Sequence, residues 1–380
     1  VHSPFELLEK KMLYKIRDCV DVYILKENIL MFYFINTRKT YEYKVNEASI
    51  KLISLINGER SVDDLVNIYN VTYERNVSKE SVIQILEFLI SINVVTEIEP
   101  NYKINIDPRY ERQINYLSEL SIGELSGIDN HDKLVNTKFL ILGIGGVGGD
   151  IALLLAMAGV KEITVLDHDK VTDSDIARHM YFRKKYIGYK KVDAIKKELC
   201  MINPDIIVNC LDFAYRPDTD IDEWIDRADF VVNSADEPYI GYTSIKLSRK
   251  CYEKNKPHYI AGGFDIHVMS TGELIIPGVT PCVNCYMRYF KRKLSNWTPE
   301  NKKVHDIINE YGGLASQSLF SASYATTQII KYICGSEFES ERLTRGEVDF
   351  EKYSIQYLDV KKDPECPVCG GGVKNEAKDS

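Results

Sequence analysis

Lys138–Asp169, KFLILGIGGVGGDIALLLAMAGVKEITVLDHD, carries the architectural signal of this chain. Phe139–Leu142 is a short apolar run that stops at Gly143, as a buried strand does. Gly143, Gly145, Gly146 and Gly148 follow, then the Ala/Leu-rich, helix-forming run Asp150–Ala158. Glu162–Leu166 reads as a second strand ending in Asp167. Strand, glycine turn, helix, strand and acid, in that order, make a dinucleotide-binding unit. Glycines permit the tight turn and let phosphate approach the backbone. The helix start offers free N–H groups and a partial positive charge. Asp167 lies 24 residues beyond Gly143, a suitable place for ribose hydroxyls. At this point NAD, FAD and ATP all remain open.

The chain has 380 residues, enough for one large and one or two small domains. Its net charge of −8 provides no broad basic surface, which argues against a nucleic-acid partner. No apolar run of 18 or more residues occurs, and no stretch reads as a signal peptide. Of nine cysteines, Cys282/Cys285 and Cys366/Cys369 form two close pairs. That favours a metal site in a reducing, cytoplasmic compartment over a disulfide scaffold.

Residues 1–100 read as a separate unit. Val20–Leu25, Ile29–Ile35 and Thr40–Val45 are short strands, with a tight turn at Lys26–Asn28. Glu47–Ile56, Val62–Tyr69 and Lys79–Ser91 have helical patterns. Ser61, with Asp64 three residues on, caps the second helix, and Ser78 caps the third. Val94–Ile98 is a wing or closing strand. The sum is a small winged helix, whose acidic helices weaken a DNA-binding reading. A free strand edge beside helices suits peptide docking. VYILKENILMFYF, VNEASIKLISLINGERSVDDLV and SVIQILEFLISINVVTE resemble the peptide-recognition domain of enzymes that modify ribosomally made peptides. The resemblance implies a peptide between the third strand and the third helix.

Residues 101–137 form a linker and a first helix that opens at Pro108 and carries Arg109 and Arg112. Beyond the glycine turn come Asp167, Asp169, Asp173 and Asp175, then Arg178, Lys184, Lys185, Lys190 and Lys191. A dinucleotide oxidoreductase has no need of so many cations near its ribose acid. A triphosphate does, because charge developing on a transferred phosphoryl group requires fixed cations or Mg²⁺. Phe230–Asn233 is a buried strand with Asp236 just past its end, where open α/β sheets bind ligands. Asp236 is therefore a candidate Mg²⁺ ligand or phosphate-site acid. Tyr259–Phe264 reads as another strand.

RYERQ, GIGGVG, DHDKVTDSDIARH, GYKK, SADE, PCVNC and CPVCG, spread over residues 108–371, resemble the ThiF/MoeB/E1 superfamily of ATP-dependent adenylating enzymes. Within it the chain looks similar to the peptide-adenylating enzymes of microcin C-type synthesis. The resemblance implies a Rossmann-like nucleotide domain over residues 138–380, with ATP and Mg²⁺ as cofactors. It casts Asp167 as the ribose acid, Arg178 and Lys191 as phosphate ligands, and Asp236 as the acid working through Mg²⁺. Arg112 would reach the nucleotide of a partner subunit, which implies a homodimer. The family usually has Asn where Asp175 stands; an acid there repels bare phosphate, and either helps hold Mg²⁺ or lowers activity.

Cys282, Cys285, Cys366 and Cys369 make a four-thiolate Zn²⁺ site with no open position, so its role is structural. Cys251 and Cys334 are not obvious nucleophiles. Direct use of an acyl adenylate, or its capture by an amide or amine, is favoured over sulfur relay. Residues 287–313 form a basic crossover, a candidate lid over a labile anhydride. The expected reaction is attack of a peptide C-terminal carboxylate on the α-phosphorus, giving peptidyl-AMP and pyrophosphate, with a stable nitrogen–phosphorus link as a further step. The rivals are activation of a ubiquitin-like sulfur carrier, adenylate-driven peptide dehydration or cyclisation, and a non-catalytic leader-binding module.

Overall fold

The structure is a computed structural model; it describes residues 12–98, 107–120, 127–237, 240–293, 313–335 and 345–370. Two compact units divide the chain, Val1–Glu111 and Arg112–Ser380.

The first unit runs β1 (Leu13–Ile16), β2 (Val20–Ile24), β3 (Ile29–Phe34), β4 (Lys39–Lys44), α1 (Glu47–Ile53), α2 (Val62–Tyr73), α3 (Lys79–Ser91) and β5 (Val95–Ile98). β2, β3 and β4 form an antiparallel meander. Alternation along β3 puts Leu30, Phe32 and Phe34 into one core with Leu52, Leu65, Val82, Leu86 and Leu89 from the helices. Both expected caps form. Ser61 and Asp64 bond reciprocally, and Ser78 accepts from the Ser81 N–H at 3.2 Å; each such cap is worth about 1 kcal/mol. β5 closes the unit by pairing antiparallel with β1. The sequence pattern leaves β1 unassigned, because four residues are too few to show a period and the partner is remote.

The second unit contains α4 (Glu111–Ser118, straddling the boundary), α5 (Gly127–Asn136), β6 (Lys138–Leu142), α6 (Gly146–Met157), β7 (Glu162–Leu166), α7 (Asp173–Ile176), α8 (Lys191–Ile202), β8 (Ile207–Leu211), α9 (Asp222–Arg227), β9 (Phe230–Asn233), α10 (Ile240–Glu253) and β10 (His258–Ile260). After these come β11 (Phe264–Asp265), β12 (Val268–Ser270), β13 (Glu273–Ile275), α11 (Val283–Lys293), α12 (Ala315–Ile333), β14 (Gly346–Asp349) and β15 (Ser354–Tyr357). The main sheet has the order β13-β10-β9-β6-β7-β8, with only β13 antiparallel. β6 is central and Phe139–Leu142 are fully buried, which explains their unbroken apolar run. The chain builds outward from β6 on one side through β7 and β8, then returns to the other through β9 and β10. The carboxyl ends of β6 and β9 therefore flank a topological switch point, where ligands bind in such sheets.

Besides β1 and small shifts at helix ends, three elements of the second unit differ from the sequence expectation. α6 begins at Gly146, four residues before the expected Asp150, because close packing overrides the poor helix propensity of glycine. A Cβ on Gly149 would stand 1.8 Å from the Tyr181 hydroxyl, and one on Gly148 would stand 2.1 Å from the Gly143 carbonyl oxygen. The run Tyr259–Phe264 splits into β10 and β11, which belong to different sheets. The break falls at Gly262, which sits so close to the Ser270 carbonyl that no side chain fits. Finally, Met287–Lys293 continues helix α11 instead of opening a crossover; the remainder of that expected segment, 294–312, lies outside the described residues.

Gly148→Ala presses a methyl group against backbone that has no room to swing aside. It is expected to cost about 3 kcal/mol, lowering the thermal midpoint and weakening ATP binding. A variant that melts with the wild type would overturn this account of the turn.

Candidate functional site

Gly143 leaves β6 with φ +83°, and its N–H donates to the Leu166 carbonyl at 2.8 Å. It lies against the Ser234–Ala235 peptide at the end of β9, close enough that a Cβ would meet Ala235 N at 2.6 Å. Both conditions demand glycine. Asn233 organises that strand end: its side-chain oxygen accepts from the Ala235 N–H at 3.3 Å and its amide donates to Thr243 and Ser244. Asp167 ties the turn to β7, its two carboxylate oxygens accepting from Ile144 N–H at 2.6 Å and Asp169 N–H at 2.8 Å. Burial raises its pKa, and the two N–H groups and Lys191 oppose that. Each oxygen keeps a second acceptor position for a hydroxyl. Above Gly145 there is open space: a Cβ there would meet no described atom within 4 Å. This is the face of the turn that a ligand can reach.

Lys191 opens α8 beside this turn. Its ammonium donates to Asp169 Oδ2 at 2.8 Å and stands 3.9 Å from Asp175 Oδ1. Burial alone would lower its pKa, but Asp169, Asp167 and Asp175 outweigh burial, so the pKa lies above the usual value and the charge persists. Arg178 is held by its own helical turn, with its guanidinium 3.3 Å from Ser174 Oγ and 3.5 Å from Asp175 Oδ1. The group Asp167, Asp169, Asp175, Arg178 and Lys191, singled out from the sequence, is thus brought together in space at the glycine turn. Asp236 is exposed just past β9, without an ion-pair partner among the described residues, so its carboxylate suits a divalent cation. Arg112 is exposed on the first turn of α4.

Asp175 faces inward and is buried. Oδ2 accepts from the Thr172 N–H at 2.8 Å and the Thr172 hydroxyl at 2.9 Å, while Oδ1 faces Arg178, His179 and Lys191. Burial raises its pKa, but these donors and cations overcome it and hold the carboxyl below its usual range. The described contacts of the acid at this position are thus all to protein groups, a setting its place in the sequence does not suggest.

Two residues of the site receive no role in the sequence analysis, although His179 ends the run DHDKVTDSDIARH. Tyr181 donates to the carbonyls of Gly145 at 2.8 Å and Ile144 at 3.3 Å, clamping the turn from beneath. His179 stacks on Tyr181 and lies 3.5 Å from Asp175. The only signal is their place within three residues of Arg178; nothing in the spacing pairs them with a turn more than thirty residues upstream.

The four paired cysteines converge. Sγ–Sγ distances are 3.9 Å for Cys282–Cys285, 3.5 Å for Cys282–Cys366 and 3.2 Å for Cys285–Cys369. These are too long for disulfides, and close to the roughly 3.8 Å edge of a tetrahedron built with Zn–S bonds of about 2.3 Å. The donor set and spacing fit a closed zinc site. It joins α11 to the segment 363–369, which Arg288 and Arg292 also hold through Asp363. Two further cysteines offer little nucleophilic character: burial pushes Cys251 up to about 12 and Cys334 up to about 11.

A parallel sheet with a glycine turn, a cation cluster at its switch point and a detached four-cysteine staple define an ATP-using adenylyltransferase of the ThiF/MoeB/E1 type. The ThiF family model matches residues 110–368, and the chain belongs to the ThiF family. Protein HesA, vegetative, of Trichormus variabilis is 29% identical over 266 residues, 69% of this chain and 89% of that protein. The sulfur carrier protein ThiS adenylyltransferase of Escherichia coli is 26% identical over 268 residues, 69% of this chain and 95% of that protein. Among solved structures, E. coli MccB superposes with TM-score 0.71 at 20% identity, covering 96% of this chain and 99% of MccB. Its complex with ATP gives TM-score 0.69 at 22% identity, covering 94% and 99%. At such identities the likeness speaks for the fold.

Proposed function

We propose that the chain adenylates the C-terminal carboxylate of a short, ribosomally made peptide, releasing pyrophosphate. The observation that carries the reading is the ammonium of Lys191, kept charged by Asp169, Asp167 and Asp175, the last-named two being the acids that tie to the glycine turn and to Arg178. MgATP binds with its phosphates over Gly145 and the start of α6, and its ribose on Asp167. The peptide carboxylate attacks the α-phosphorus. Lys191 and Arg178 stabilise the charge that develops, each worth about 3 kcal/mol in the transition state. Mg²⁺ at Asp236 supplies further neutralisation of phosphate charge when bound. Arg112, exposed on α4, reaches the nucleotide of a second copy in a homodimer.

The peptide part of the reading draws on the first unit. β4 pairs only with β3 among the described residues, so its other edge is free for an added strand. α3 stands beside it, with Tyr43 of β4 packed edge-on to Phe88 of α3 at 5.2 Å. The unit thus serves as a winged-helix peptide-recognition domain. The microcin C7 biosynthetic enzyme MccB, whose fold extends over both units of this chain, has been solved in complex with N-formylated MccA. The location that goes with such a reaction and with reduced cysteines is the cytoplasm.

Activation of a sulfur-carrier protein is the second reading, favoured by the ThiS adenylyltransferase among the relatives. The burial of Cys251 and Cys334 speaks against a sulfur relay through either. ATP–pyrophosphate exchange with synthetic versions of the peptides encoded beside the gene, followed by product mass, separates the two. Peptide-dependent exchange and a mass gain of one AMP are expected. Exchange that answers only to a ubiquitin-like protein would replace the peptide reading.

A further inference from the structure

With its ribose on Asp167 and its phosphates over the glycine turn, the nucleotide takes the β6–β7 side of the switch point. A peptide carboxylate then reaches the α-phosphorus from the β9–β10 side. That approach passes Gly263, just beyond β10, which is exposed and where a Cβ would meet no described atom within 4 Å. The β11–β12 hairpin follows directly, and its two-residue loop is Ile266–His267.

Ile266 occupies a position that favours glycine. Of the two loop residues it alone has a positive φ, +52°. Hairpin loops of this pattern are normally built on glycine, because a branched side chain crowds the backbone in the left-handed region. The Ile266 side chain is nonetheless 49% exposed, so core packing does not account for it. Gln317, buried on the first turn of α12, holds the strained loop in place. Its Nε2 donates to the Ile266 carbonyl at 2.5 Å, and its Oε1 accepts from the Leu314 N–H at 2.9 Å. One buried amide thus ties together two exposed apolar residues, since Leu314 is 66% exposed. The next residue of α12, Ser318, packs on the glycine turn: its Oγ lies 2.3 Å from where a Cβ on Gly146 would stand. Consecutive residues of one helical turn therefore touch the apolar pair and the glycine turn, which sets the two roughly one helix width, about 10 Å, apart.

Strain that a fold retains without a packing reward points to function. An extended chain advances about 3.5 Å per residue. A peptide whose carboxylate lies over the glycine turn thus brings one of its last three residues to the Ile266–Leu314 pair. We propose that Ile266 and Leu314 form an apolar wall that selects peptides with an apolar side chain among their last three residues. The inference rests on the adenylation reading and narrows its substrate. The occupant is apolar because neither wall side chain offers a polar group and the Gln317 amide between them is engaged with backbone on both its oxygen and its nitrogen. Ile266 and Leu314 are specificity-determining residues and Gln317 is their positioning residue; none takes part in the chemical step.

Pyrophosphate exchange with synthetic peptides from the neighbouring reading frames first finds the most active peptide. That peptide is expected to carry an apolar residue in its last three positions, and replacing this residue by Asp should raise KM for peptide about 10- to 100-fold. Ile266→Gly and Leu314→Ser should each raise KM for the unaltered peptide about tenfold, with kcat and KM for ATP within about twofold of the wild type, the pattern of lost binding and not of lost chemistry. Ile266→Gly should melt within a few degrees of the wild type, because glycine accepts the positive φ without strain. An unchanged KM for peptide in both variants overturns the proposal, as does a most active peptide with three polar residues at its end. A rise in KM for peptide and ATP together, with a much lower melting temperature, assigns the pair to the fold and also overturns it. No exchange by the wild type with any peptide refutes the adenylation reading itself, and the selecting wall falls with it.

Discussion

Lys191→Ala is expected to abolish peptide-dependent pyrophosphate exchange, with a loss of at least about 10²-fold, while peptide binding stays within a few-fold of the wild type. The asymmetry follows from position. The Lys191 ammonium belongs to the cation cluster of the glycine turn, 2.8 Å from Asp169, in the second unit. The proposed peptide-docking edge, β4, belongs to the first. Removing the ammonium takes away a cation needed most as phosphate charge develops, and leaves Asp167, Asp169 and Asp175 less balanced. Repulsion by these acids weakens ATP binding as well, so KM for ATP should rise alongside the fall in kcat. Lys191→Arg keeps the charge, but its fork cannot reproduce a point contact in a buried position, and only partial recovery is expected. Isothermal titration with peptide and exchange with ATP, on the same preparations, check both halves. Parallel loss of peptide binding and exchange would show that Lys191 supports the fold and not the chemistry.

Metal analysis of protein purified without added metal is expected to give one zinc per chain. Stripping that zinc should release the segment 363–369. Ties that would remain among the described residues include Arg288 and Arg292 to Asp363, Arg288 to Glu365, and Lys362 to the Gly278 carbonyl. Partly exposed ion pairs of this kind are each worth about 1 kcal/mol or less, whereas closed four-thiolate sites contribute several-fold more to folding. Loss of roughly 5 kcal/mol would lower the thermal midpoint by about 10–20 °C in a unit of this size, and proteolysis should begin near residue 363. Cys366→Ser should reproduce both effects with metal present. Zinc near zero in fully folded protein would count against the site.

The glycine turn and Asp167 are legible in the sequence because each is bound to its neighbours by short-range geometry. A strand must end before a turn, a helix must start after it, and an acid at the end of the next strand must face the same opening. The two CxxC pairs are legible for a similar reason: within each pair, spacing alone brings the thiolates together. Ser61 with Asp64 and Ser78 with Ser81 can be read as caps because each bond spans three residues.

The tertiary structure is needed wherever partners come from distant parts of the chain. β1 acquires its identity only from β5, and the start of α6 only from the closeness of Gly148 to Gly143 and of Gly149 to Tyr181. The break at Gly262 exists because Ser270 returns to meet it. Asp175 in the sequence is an acid where an amide is expected; only the fold turns it inward onto Thr172, Lys191 and His179. Short-range spacing dictates which groups a segment can offer, but the direction in which a side chain points depends on what is packed against it, and those neighbours are set by long-range contacts that no local pattern encodes.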